Sequence, residues 1–195
     1  TKKMYDQVNY HGFKKLISLC NKMNCHNIVL ISTMSVYGKI NSKTITEKTN
    51  FKNPDEYGNT KIKMEKILKK FCNDKNKKGL ILRLPGIIGP KSKNNFLSFA
   101  LNHIKKKKFI QINNPNLKFN NIAHVDSVSN VIYYYINNKD MKLKIFNMCT
   151  LRPILFKNIF KIIFKELNLK EKIYYSKSNN KGFNIIINKH LKKYK

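Results

Sequence analysis

Two short apolar runs, NIVLIST at 27–33 and GLILRLP at 79–85, constrain this chain more than anything else in it. Each is rich in leucine or β-branched residues, bounded by polar residues or Pro-Gly, and too short for a helix, so each reads as a buried strand. Between them, DEYGNTKIKMEKILKK (55–70) begins a helical pattern that continues to about residue 73. Ahead of the first run, MYDQVNYHGFKKLISLCNK (4–22) reads as a further helix, with Val8, Phe13, Leu16, Ile17 and Cys20 on its inner side. Parallel strands can be joined only by a long crossover, and a helix of this length supplies one.

The alternation continues. A turn-rich loop, GIIGPKSKNN, leads into a helix from about Phe96 to Lys107, and FIQI and FNNIAHV read as strands. Asp126 is the expected cap of a helix over Ser127–Asn137, and KIFNMC (144–149) is strand again. FKNIFKIIFKEL (156–167) is amphipathic, with Phe160, Ile163, Phe164 and Leu167 inward. The end, KIYYSK and GFNIIINKHLKKYK, offers two extended pieces and a broken helix. Strands alternating with helices predict an α/β doubly wound parallel sheet, whose ligands bind at the carboxyl ends of the strands. Thr33 and Pro85-Gly86 both stand at such ends.

Composition narrows the chemistry. The formal charge of +30 raises nucleic-acid binding as a reading, yet of 40 basic residues only Arg83 and Arg152 are arginine. Arginine is the usual reader of phosphates and base edges, and the lysines are scattered among 28 asparagines. That pattern suits AT-rich codons better than a ligand, and no nucleic-acid partner is expected. Lys105–Lys108 close a helix, where cations suit the dipole. Cys20, Cys25, Cys72 and Cys149 show no CxxC spacing, so neither a zinc site nor a disulfide framework is indicated. No apolar run approaches the roughly 18–20 residues needed to span a bilayer, and no secretory signal is evident. A cytoplasmic protein is expected.

Tyr57 and Lys61 carry the clearest chemical signal. Asn53-Pro54-Asp55-Glu56 reads as a helix start capped by Asn53, which puts Tyr57 at the end of the first turn. Residues four apart share a helix face, so the lysine ammonium can favour the phenolate and lower a pKa that is ordinarily about 10. A tyrosine tuned in that way can exchange a proton near neutral pH.

ISTMSVYG (31–38) ends one strand, YGNTK (57–61) opens the next helix, and LRLPGIIGP (82–90) ends the next strand. With Asn9-x-x-Gly12, HVD at 124–126 and FNM at 146–148, these pieces resemble the extended short-chain dehydrogenase/reductases, the NAD-dependent epimerase/dehydratases of nucleotide sugars. The resemblance implies a Rossmann-like sheet with a smaller C-terminal substrate-binding subdomain. Residues 1–90 would form the second half of the cofactor domain, 91–118 a substrate-binding insertion, 119–150 the last Rossmann segment, and 151–195 the subdomain. It implies NAD or NADP as cofactor, a nucleotide-sugar substrate, and a homodimer through the helices at 4–22 and 55–73.

By the same resemblance, Tyr57 is the acid/base, Lys61 holds the nicotinamide ribose, and Thr33 bonds the reacting oxygen. Ser32, Leu84 and Pro85 would lie near the cofactor; Ser35, Gly86, Asn95 and Phe96 near the substrate. Asn9 would tie the first helix to the strand region. Tyr37 and His124 read as packing residues.

Departures carry information too. Met34 and Ser35 stand where family dehydratases place acidic residues, which disfavours a 4,6-dehydratase. Gly86 replaces a substrate-contacting Asn, and Asn120 replaces a diphosphate-binding arginine, leaving Lys118 or Lys181 for that task. The glycine-rich pyrophosphate turn is absent among the seven glycines, and the chain starts at Thr1 rather than Met. The expectation is that on the order of 80 residues of βα units precede it. The expected function is that of a nucleotide-sugar epimerase or 4-keto reductase. A non-catalytic relative used as sensor or scaffold is the alternative, and a basic nucleic-acid binder the third.

Overall fold

The two apolar runs lie side by side as expected. In the computed structural model, which describes residues 2–138, 142–176 and 182–193, β1 (Asn27–Thr33) pairs in parallel with β3 (Lys78–Leu84), from Asn27 opposite Lys78 to Thr33 opposite Leu84. Numbering in chain order, α1 (Lys2–Tyr5) passes through a π-helical turn (Asp6–His11) into α2 (Gly12–Lys22), ahead of β1. A 3-10 turn (Met34–Tyr37), β2 (Thr44–Ile45) and α3 (Glu56–Asp74) lie between β1 and β3. Next come β4 (Gly86–Ile88), α4 (Phe96–Lys107), β5 (Ile110–Asn113), β6 (Lys118–Phe119) and β7 (Ile122–His124). α5 (Val125–Asn137), β8 (Lys144–Asn147), β9 (Ile154–Leu155), α6 (Phe156–Glu166), β10 (Ile173–Ser176) and β11 (Asn184–Ile185) follow. A 3-10 turn over Lys189–Lys193 closes the described chain.

β8 joins the far side of β3, also in parallel, giving the order β1-β3-β8. Alternate side chains of a strand face opposite ways, and β3 uses both faces. Ile81 packs with Phe13, Ile17, Leu68 and Phe71 of α2 and α3, whereas Leu80 and Leu82 pack with Val128, Val131 and Tyr135 of α5. The sheet is therefore covered on both sides, the doubly wound arrangement. A separate apolar cluster joins α4 to α6 through Ala100, Ile104, Ile112, Ile159, Phe160 and Phe164. Short pairs, β5 with β10 and β6 with β9, flank it. Among the described residues no helix is long and apolar enough to cross a membrane.

Three local readings change. The first helix buries Phe13 and Ile17, but Val8 and Leu16 are 68% and 49% exposed. A π turn carries more residues per turn than an α turn, so it shifts the phase of residues before it against α2. The α3 cap is Asp55, whose carboxylate accepts from the Gly58 N–H at 2.7 Å; Asn53 instead takes φ 47°. That left-handed residue delays the helix by two positions. His124, not Asp126, caps α5: its Nδ1 accepts from the Asp126 N–H at 3.3 Å.

The ends of α2, α3 and α6 share one device. In each, the residue after the cap is an asparagine in left-handed backbone: Asn24 (φ 54°), Asn76 (φ 48°) and Asn168 (φ 51°). In each, the next N–H reaches back to the carbonyl five residues earlier, as Cys25 does to Cys20 at 2.8 Å and Leu169 to Phe164 at 3.0 Å. This is the Schellman ending, usually built on glycine.

Candidate active site

The carboxyl end of β1 and the first turns of α3 bring the predicted residues into one neighbourhood. Thr33 is the last residue of β1, and its side chain starts the 3-10 turn: Oγ1 accepts from the Ser35 N–H and donates to Ser35 Oγ, both at 3.2 Å. Lys61 Nζ donates to the Ile31 carbonyl of β1 at 3.0 Å and lies 5.7 Å from the Tyr57 ring centroid. The Tyr57 ring packs on Tyr5 at 5.6 Å, and among the described residues its hydroxyl has no hydrogen-bond partner. Gly58 is why α3 comes so close. A Cβ there would sit 2.4 Å from the Ser35 carbonyl oxygen, so only glycine lets the helix rest on the turn after Thr33.

The electrostatics run opposite to the expectation from spacing. Burial first, then the Tyr5 phenol and the Asp55 carboxylate, push the Tyr57 phenol above its ordinary value. Lys61 does not reverse this, because its ammonium is drawn to a strand carbonyl and faces the ring rather than the hydroxyl. Burial lowers the Lys61 ammonium in turn. Tyr57 thus stands as a protonated donor at neutral pH.

Beside this open cluster is a closed one that the spacing argument missed. Arg83 of β3 and Glu65 of α3 form a bidentate pair, Nε to Oε1 at 3.0 Å and Nη2 to Oε2 at 2.8 Å, with both side chains almost wholly buried. Ser32 Oγ donates to Glu65 Oε1 at 2.6 Å. Arg83 Nη1 donates to the Tyr37 hydroxyl at 2.7 Å and to the Glu47 carbonyl at 3.2 Å. Tyr37 donates in turn to Asn147 Oδ1 at 2.8 Å, with the Thr46 carbonyl at 3.0 Å beside it. The guanidinium lies between rings, 5.1 Å from Tyr37 and 5.0 Å from Phe51. Burial disfavours its charge, and Glu65 outweighs that, leaving it raised overall. One charged residue inside the apolar run GLILRLP was the available signal, since a buried charge requires a partner.

The remaining predicted residues divide by what their side chains already do. Ser32 spends its hydroxyl on the ion pair, inside the protein. Leu84 packs on the α5-side core, and Pro85 is half-buried. Asn95 caps α4, accepting from the Ser98 N–H at 2.9 Å while its amide donates to the Ile87 carbonyl at 3.0 Å. Phe96 stacks on Phe156 at 5.3 Å. Asn9 reaches Thr60 of α3 at 3.5 Å, rather than the strand. A cavity of about 870 Å³ opens beyond the 3-10 turn, lined by Lys39, Asn41, Asn113, Lys118, Phe119 and Asn121 among others. Thr33, Tyr57 and Lys61 do not line it. Asn121 Oδ1, on its wall, is buried and has no hydrogen-bond partner among the described residues.

The sequence model of the NAD dependent epimerase/dehydratase family matches residues 2–149. The chain belongs to that family. No curated protein matches the sequence significantly. Solved structures show the epimerase fold at low identity. UDP-glucuronic acid 4-epimerase from Bacillus cereus, in complex with NAD, is 18% identical with a TM-score of 0.82, over 100% of this chain and 64% of that one. UDP-N-acetylglucosamine 4-epimerase from Methanobrevibacter ruminantium M1, in complex with UDP-N-acetylmuramic acid, is 18% identical with a TM-score of 0.80, over 97% and 63%. The UDP-Glc/GlcNAc 4-epimerase from Campylobacter jejuni is 16% identical with a TM-score of 0.77, over 100% and 65%. The chain therefore spans less than two thirds of the length of these epimerases.

Within the epimerase/dehydratase frame, the departures acquire structural content. Met34, the first residue of the turn, is a buried thioether, so that position offers no acid to a ligand. Asn120 is buried too, bonding the backbone of Ile185 on both sides at 2.8 and 2.9 Å, which fastens β11 rather than facing a ligand. Lys118 lines the cavity. Lys181 lies outside the described residues. At Gly86 an added Cβ would meet nothing closer than 3.9 Å, so glycine leaves space there.

Proposed function

We propose that this chain is the substrate-facing part of an NAD(P)-dependent nucleotide-sugar 4-epimerase, with Tyr57, Lys61 and Thr33 as its reacting set. The observation that carries this reading is the hydroxyl of Tyr57, without a hydrogen-bond partner among the described residues, on a ring beside Lys61 in a helix that rests at Gly58 on the turn after Thr33. The residues fit a nicotinamide cofactor. Lys61 uses one of its three N–H bonds on the Ile31 carbonyl, leaving two for ribose hydroxyls. The cofactor, when bound, supplies the hydride acceptor. Tyr57 moves the proton of the sugar oxygen, and the Thr33 hydroxyl orients that oxygen by giving up its bond to Ser35. The cavity beyond the turn suits the nucleotide part of the substrate, with Lys118 and Lys39 meeting a diphosphate and Asn121 Oδ1 awaiting a donor.

A 4-keto reductase is the second reading, favoured by the raised phenol: a protonated Tyr57 suits giving a proton to a ketone oxygen as hydride arrives. For the homodimer, support comes from Met4, Val8, Leu16, Leu19 and Met23, large apolar side chains left exposed along the first helical stretch. Sedimentation of the full-length protein gives a dimer on this reading, and a monomer removes it.

The deciding experiment uses the full-length natural product. Heat release from the purified protein yields NAD or NADP, and UDP-hexoses are turned over. Tyr57→Phe keeps the nucleotide and abolishes turnover. A protein without bound nucleotide and without turnover would be the non-catalytic relative.

A further inference from the structure

The end of α2 brings two thiols together. In a Schellman ending, the side chain three positions before the cap meets the one two positions after it. Here Met23 is the cap, and those positions are Cys20 and Cys25. Both diagnostic bonds are present: Cys25 N–H to the Cys20 carbonyl at 2.8 Å, and Asn24 N–H to the Asn21 carbonyl at 3.2 Å. Asn24 supplies the left-handed turn at φ 54°. A bond of 2.8 Å between that N–H and that carbonyl keeps the two Cα atoms within about 6.7 Å on standard backbone dimensions. A disulfide spans roughly 4.4–6.8 Å between Cα atoms.

The other cysteines provide contrast. Cys72 holds the equivalent place at the end of α3, but its partner position is Lys77, and both Cys72 and Cys149 are buried. Cys20 and Cys25 are both partly exposed.

We infer that Cys20 and Cys25 are a redox-closable pair, a modification site at the α2–β1 corner that a disulfide oxidant of the glutathione class converts to an intrachain disulfide. The Cys25 thiolate attacks one sulfur of oxidised glutathione, which releases one glutathione thiolate and leaves a mixed disulfide. The Cys20 thiolate then displaces the second glutathione. The two cysteine protons end on the two glutathione thiolates, the cysteines are oxidised, and the oxidant is reduced. Cys20 acts second: burial, then its hydrogen bond to and charge coupling with Cys25, hold its thiol up, and the carboxyl end of a helix disfavours an anion. The closed ring staples α2 to the residues that open β1, the strand that ends in Thr33.

The test is chemical and needs no turnover. The folded full chain is incubated with oxidised glutathione, alkylated, and digested with trypsin, which cuts after Lys15, Lys22 and Lys39. Peptides 16–22 and 23–39 are expected as one linked species, lighter by two hydrogens than their sum, from monomeric protein, and separated by reductant. In Cys25→Ser the link disappears and Cys20 retains a glutathione or remains free, with an unchanged circular dichroism spectrum. Glutathione adducts that persist on both wild-type cysteines would overturn the inference. So would links found only between chains, or two thiols that stay free throughout.

Discussion

Ser32 and Thr33 are adjacent, and Lys61 and Glu65 are one helical turn apart, yet they serve opposite ends. Ser32 and Glu65 belong to a closed network in which Arg83, Tyr37 and Asn147 bind one another inside the protein. Thr33 and Lys61 belong to an open one that retains spare donors and a phenol unpartnered among the described residues. Strand alternation sends neighbouring side chains of β1 to opposite faces, and one turn of α3 moves a side chain from the rim to the interior. The closed network ties together β1, β3, α3 and the loop to Glu47, so the open residues stand on a backbone that is held independently of their own contacts. Residue type alone does not separate the two roles; what each side chain already touches does.

That contrast can be broken from the closed side first. Arg83→Leu leaves Glu65 buried and unpaired, and is expected to cost about 3–5 kcal/mol in denaturant unfolding. A loss below about 1 kcal/mol would mean that water reaches Glu65. Replacing Glu65 by methionine as well should restore part of the loss, because two apolar side chains bury more easily than one stranded charge. Gly58→Ala tests the joint between the two clusters. Alanine is the better helix former, but its Cβ meets the Ser35 backbone, so a loss of about 2–3 kcal/mol is expected together with impaired turnover of the full-length protein. An alanine variant as stable as the parent would show that α3 can lift off the turn at no cost.

Alkaline pH probes both clusters at once. Burial raises the phenols of Tyr37, Tyr57 and Tyr135, so the native chain keeps protons that the unfolded chain releases near the ordinary phenol value of about 10. Native protein then binds more protons, and stability falls as pH rises through and beyond that value. Lys61 works the other way, since its native form loses its proton first. Urea midpoints taken at stepped pH should decline above it, and a flat profile would deny the phenols their burial. The smallest effects on stability belong to the open cluster. Thr33→Ala should cost no more than about 1 kcal/mol, the value of a lost cap, and Tyr57→Phe less than about 0.5 kcal/mol. Both should lower turnover far more than stability, and equal losses would make them structural residues.

The order of strands and helices was legible because apolar runs and amphipathic helices follow simple periods. The family was legible because its motifs fall at strand ends and helix starts. The caps were not. Asn53 and Asp55 both suit a helix start, and only the left-handed backbone at Asn53 selects Asp55. The closed network joins residues up to 110 positions apart, a distance no local pattern reports. The phenol's shift was misread for the same reason, since the carbonyl that draws Lys61 away is 30 residues distant. Left-handed positions were hidden as well: among the described residues eight non-glycines have positive φ, six of them asparagine, where glycine would have announced a turn.

β1 lies at the edge of the sheet as described, and Ile31 in it is 41% exposed. Among the described residues no strand pairs with the outer edge of β1, and a seven-residue apolar strand so placed is a template for pairing, with a further strand of the full-length protein or with a second copy. Against this stands the formal charge of +30, which makes copies repel at a distance. The balance is colloidal and set by the buffer. Salt shortens the reach of that repulsion from about 10 Å at 0.1 M to about 3 Å at 1 M, while the appetite of the strand edge is untouched. Produced alone, residues 1–195 should therefore stay dispersed in dilute buffer, and the concentrated salt often used to tame basic proteins should bring their strand edges together.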